Sequence, residues 1–112
     1  MLFFGESLMI RPQVTELVKL GAFPSEHDVV EAQIEKQQRL LESIEPPVSD
    51  NEARELLKLF GPDDYYGLAW TVVHLVESAP GWPLEDCLGH TDNEWIQRLR
   101  RRVENAKHRL GQ

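Results

Sequence analysis

Tyr65-Tyr66-Gly67-Leu68-Ala69-Trp70-Thr71-Val72-Val73-His74-Leu75-Val76-Glu77-Ser78 is the stretch on which the fold turns. Asp63-Asp64 precede it and suit a helix start; Pro80-Gly81 follow it and suit a helix end. The stretch is apolar almost all round, which places such a helix in the interior of a bundle. Its Val and Thr run also fits a strand, but the length and the flanking cap signals decide for a helix over about 64–78. Gly67 and Ala69 reduce bulk on one side, so a neighbouring helix can come close.

Working outward, helical punctuation recurs on both sides. Pro12 opens and Gly21 closes a first helix at about 12–20, with Val14, Leu17, Val18 and Leu20 as its apolar face. Ser25 is placed as the cap of a longer amphipathic helix at about 26–44. In it Val29, Val30, Ile34, Leu40, Leu41 and Ile44 step at threes and fours, and only Gln37 breaks the stripe. Pro46-Pro47 ends it. Ser49-Asp50-Asn51-Glu52 reads as a capping box for a third helix, which Gly61-Pro62 closes after Phe60. Leu84–Leu88 reads as a single helical turn ending at Gly89. Thr91-Asp92-Asn93-Glu94 reads as a second capping box, opening a last helix at about 92–110. The expectation is an all-α, compact bundle of about five helices around the central one, in a single domain over 1–112. Short loops imply mostly antiparallel neighbours, and residues 1–10 form an N-terminal arm, strand or apolar strap.

Composition supports a packed core. Of 112 residues 41% are hydrophobic, and three Trp, four Phe and two Tyr bring large buried area to a short chain. Cys87 is the only cysteine, so an internal disulfide is excluded and a reducing, cytoplasmic setting is expected. No run of about 20 apolar residues exists to span a membrane. Charge is uneven within a net of −7. Residues 1–90 carry six Lys/Arg against sixteen Asp/Glu, whereas residues 91–112 carry six against three. Such an acidic body repels nucleic acid while a basic tail is able to touch it, but the tail is expected to pair with the body or to stay solvated.

Tyr66, Trp70 and His74 recur at four-residue spacing, with Glu77 three residues further on. On a helix they share one face, and a carboxylate beside a histidine is an arrangement suited to general-base chemistry or to a ligand pocket. The same histidine also fits a purely structural role. Asp63 and Asp64 are oxygen ligands of the kind a hard cation takes, yet at a helix start they serve equally as caps. Cys87-x-x-His90 supplies half a zinc site with no second half, and His27 and His108 lie far off, so neither a metal nor a cofactor is expected. No phosphate loop or hydrolase elbow is present. Trp82, between Gly81 and Pro83, either tucks onto the core or faces a partner.

Two resemblances bear on function. The segment Phe60-Gly61-Pro62-Asp63-Asp64-Tyr65-Tyr66-Gly67-Leu68-Ala69-Trp70, with His74-Leu75-Val76-Glu77-Ser78-Ala79-Pro80-Gly81-Trp82-Pro83, resembles one in small bacterial proteins of unassigned role. It spans about a fifth of the chain and implies a bacterial cytoplasmic origin, with no activity attached. In size and charge the chain is also similar to bacterial immunity proteins, which neutralise cationic toxins. The expected function is therefore a protein-interaction module, in its specific form an immunity- or antitoxin-like inhibitor of a basic partner, with Trp82, Asp63 and Asp64 as candidate interface. The alternative is a small enzyme or ligand binder using Tyr66, Trp70, His74 and Glu77. A third reading is self-association, the basic last helix of one copy docking on the acidic body of another.

Overall fold

The computed structural model describes residues 10–89 and 92–110, the last two by backbone alone. The expected arm at 1–10 lies outside the described residues apart from Ile10, which is half-buried against the core. Five α-helices follow: α1 (Pro12–Leu20), α2 (Glu31–Glu42), α3 (Asp50–Leu56), α4 (Leu68–Glu77) and α5 (Glu94–Leu110). Single 3-10 turns occur at Glu26–Asp28, Leu57–Leu59 and Glu85–Cys87, and no strand forms among the described residues.

The expected central helix holds its place but starts later. Leu68, Ala69, Val72, Val73, Leu75 and Val76 are all buried, and α4 packs against both α2 and α3. Before it, Tyr65, Tyr66 and Gly67 take positive φ values of 49°, 55° and 90°. Three left-handed residues in a row cannot belong to a right-handed helix, so Asp64–Gly67 form a turn, with the Gly67 amide donating to the Asp64 carbonyl at 3.0 Å. Nor is α4 apolar all round. His74 is exposed and Trp70 and Glu77 are half-buried, a stripe that α5 meets at Trp70 and Glu77.

The second expected helix also begins late. The Ser25 hydroxyl accepts from the His27 amide at 3.1 Å, but this caps only the 3-10 turn. Val29 and Val30 then run extended, and α2 begins at Glu31. β-branched side chains favour that extended backbone, and Val30 stays 58% exposed, so no packing draws it into the helix. Gln37, the polar break in the stripe, is buried on that same face: its Oε1 accepts from the Tyr65 hydroxyl at 2.7 Å, linking α2 to the left-handed turn.

The capping box at Ser49 and Glu52 forms as its spacing predicts, with bonds of 3.0 and 2.9 Å. It also joins two helices. Glu52 is 3% exposed and accepts from the Arg11 amide and guanidinium at 2.9 to 3.0 Å, while Arg11 donates to the Glu45 carbonyl. At α5 the capping group is Asn93, whose Oδ1 accepts from the Trp95 and Ile96 amides at 2.8 and 3.3 Å; Thr91 lies outside the described residues. Gly61 is required by close approach. A Cβ there would stand 2.0 Å from the Phe23 carbonyl oxygen, where the Phe23 amide donates to the Leu59 carbonyl.

One adjacency departs from the antiparallel expectation. Trp70 meets Trp95 and Arg98, and Glu77 meets Arg102, so partners advance in the same direction along α4 and α5. The segment 78–93, with its 3-10 turn, is long enough to return the chain to the starting end.

Candidate functional site

The four residues grouped by helical spacing do not all lie on one helix. Tyr66 sits in the left-handed turn, 61% exposed, and its amide donates to Glu26 Oε2 at 2.7 Å. Trp70, His74 and Glu77 do share a face of α4. The Trp70 ring meets Trp95 edge-on at 5.2 Å between centroids and lies 6.4 Å from His74. Glu77, however, accepts two bonds from Arg102 at 2.6 and 2.8 Å. Its carboxylate is turned toward α5, and among the described residues no hydrogen bond joins it to His74. Among the described residues the spacing-predicted acid–histidine pair is not hydrogen-bonded.

Asp63 and Asp64 serve the turn. Asp63 accepts from the Glu26 amide at 2.9 Å and the Tyr65 amide at 3.1 Å, while its carbonyl accepts from the Trp95 indole at 3.1 Å. Together with the Glu26–Tyr66 bond this makes a reciprocal clasp between the segments at Glu26 and Asp63. Asp64 is half-buried beside it. Trp82 lies beyond the opposite end of α4, so it shares no patch with the two aspartates. It is half-buried against the core and edges a groove of about 750 Å³ with Pro83, Arg102, Val103 and Lys107.

Cys87 is half-buried; burial pushes its thiol pKa up, the neighbouring Arg54 pulls the other way, and the net direction is upward. A thiol shifted in that direction is a poor nucleophile at neutral pH. Among the described residues no three His, Cys, Asp or Glu side chains converge as a metal would need, and no helix is long and apolar enough to cross a membrane.

The tail pairs with the body, one of the two arrangements its charge suggested. Arg102 meets Glu77, Lys107 forms an ion pair with Glu85, and Arg100 donates to the Gly89 carbonyl at 3.2 Å. The acidic side of the molecule is less compensated. Glu31, Glu35 and Glu42 are exposed on α2 and follow one another at four- and seven-residue steps, the spacing of one helix face, and Asp28 is exposed in the 3-10 turn before them. Among the described residues none of them has a cation in ion-pair range, and Lys36 leans instead toward Glu16 at 3.9 Å. Glu42 accepts from the neutral Gln38 amide at 3.0 Å. The Glu31/Glu35/Glu42 spacing could have been found in the sequence, as carboxylates recurring at helical steps. Arg98, set against Trp70 and Trp95, could not, because its neighbours come from two helices.

Comparison with protein-family models, with curated proteins and with solved structures finds no match to this chain.

Proposed function

We propose that this protein is an interaction module that binds a partner protein with a cationic surface, through the acidic stripe of Glu31, Glu35 and Glu42 on α2. The observation that carries the reading is the contrast in pairing: the tail's Arg102 and Lys107 meet carboxylates of the body, while the α2 stripe has no cation against it among the described residues. Such a surface accelerates encounter with a cationic protein and makes binding salt-sensitive.

In its specific form the reading is an immunity- or antitoxin-like inhibitor in a bacterial cytoplasm, supported by small size and acidity. The enzyme or ligand-binder reading is weaker because Glu77 is held by Arg102 rather than by His74. Self-association through the tail, and nucleic-acid binding by it, are weaker because Arg102 and Lys107 are already paired. The test is affinity capture from the source organism at low and moderate salt, with the wild-type chain beside an E31Q/E35Q/E42Q variant. A basic protein retained by the wild type at low salt and lost with the variant supports the proposal. Equal capture by both proteins, or no specific capture, refutes it.

A further inference from the structure

Arg98 is the cation whose surroundings the fold does not explain. Its guanidinium carbon lies 4.6 Å from the centroid of Trp95 and 5.4 Å from that of Trp70, one indole from each of α5 and α4. The Nε atom is out of contact with solvent and has no hydrogen-bond partner. Among the described residues no carboxylate is in ion-pair range of this arginine, although Arg102, one turn along the same helix, has Glu77. An N–H shut off from water without an acceptor is unfavourable, so the two rings hold Arg98, half-buried overall, at the expense of the hydrogen bond of its Nε. His74 stands one turn after Trp70 on α4, exposed, with its ring against that indole.

We propose that Arg98 is the centre of an oxyanion-binding site, which takes a carboxylate or phosphate group on the guanidinium, with His74 as second donor and Trp70 as one wall. The site is on α4 and α5, apart from the α2 stripe, and does not depend on the interaction reading. A guanidinium resting against two indoles has less freedom left to lose on binding, and its planar fork matches two oxygens of a carboxylate or phosphate at once. Lysine at this position would keep the charge and lose both the fork and the stacking.

The full chain, labelled with nitrogen-15, is titrated with inorganic phosphate and separately with acetate at constant ionic strength set by chloride. The Trp70 and Trp95 indole signals and the His74 ring signals move saturably, while the Trp82 indole stays in place. R98K weakens binding about tenfold and H74A a few-fold. Saturation with phosphate alone assigns a phosphoryl ligand, with acetate alone a carboxylate, and with both a general oxyanion site. Shifts that stay linear to about 100 mM in both titrations overturn the proposal. Should R98K fail to fold, the wild-type titration still decides, because Trp82 moving in step with Trp70 and Trp95 also overturns it.

Discussion

Replacing Glu52 by Gln tests the joint that ties α1, the Pro46-Pro47 corner and α3 together. Burial pushes the Glu52 carboxyl up. Bonds from the Arg11 side chain and from the Ser49 and Arg11 amides, with the Arg11 charge, outweigh it and bring the group down to about 2. Against an ordinary value of 4.5, a shift of that size is worth about 3 kcal/mol at neutral pH. The sign follows from the direction. A carboxyl whose folded pKa is depressed contributes its stability above the unfolded pKa and loses it as pH falls through the folded one. The Glu52 contribution is therefore complete above about pH 5, about 2 kcal/mol near pH 3.5 and under 1 kcal/mol at pH 2. E52Q also turns an amide donor toward the Arg11 and Ser49 N–H groups, so its loss at pH 7 is about 2–4 kcal/mol. Urea unfolding followed by tryptophan fluorescence, at steps from pH 7 to pH 2, gives the difference between wild type and E52Q directly. That difference should shrink as pH falls. A constant difference across the range, or one below about 1 kcal/mol at pH 7, would refute the assignment of Glu52 as the charged centre of this joint.

Three further outcomes follow from particular contacts. Tyr65→Phe leaves Gln37 Oε1 buried without a donor and destabilises by about 1–3 kcal/mol, whereas Y65F/Q37L restores most of it, because both polar partners and the unpaired Gln37 Nε2 are removed together; chemical denaturation of the four proteins in the cycle checks this. Gly61→Ala drives a methyl into the Phe23 carbonyl and lowers stability by more than about 2 kcal/mol, read as a fall in the urea midpoint. Tyr66→Gly relieves a left-handed φ at an exposed residue and raises stability by about 0.5–1 kcal/mol, seen as a higher thermal midpoint.

The parts of the fold that local chemistry dictates could be read from residue order. Pro12 and Gly21 bracket α1, and Ser49 with Glu52 places the start of α3, because a proline, a glycine and a capping box act on the backbone beside them. The buried faces of Leu68, Val72 and Leu75 follow from their spacing in the same way. What was not legible depends on distant partners. Tyr65 and Tyr66 hold positive φ because Asp63 and Glu26 accept from their amides, and the Glu26 contact crosses forty residues of sequence. Gln37 looks like a break in an apolar stripe until Tyr65 arrives to meet it. Glu77 looked like the partner of His74 because three residues separate them, but Arg102 offers two charge-assisted bonds and a histidine ring would offer one.

The central claim, that the carboxylate stripe of α2 is the face a cationic partner covers, is tested most directly by photo-crosslinking from within it. A photoreactive residue in place of Gln38, which is exposed in the middle of the stripe, is compared with one in place of Arg101 on the outer side of α5. The account predicts a salt-sensitive cross-link from position 38 to a basic protein and none to that protein from position 101. Cross-linking to a partner from position 101 alone would contradict it.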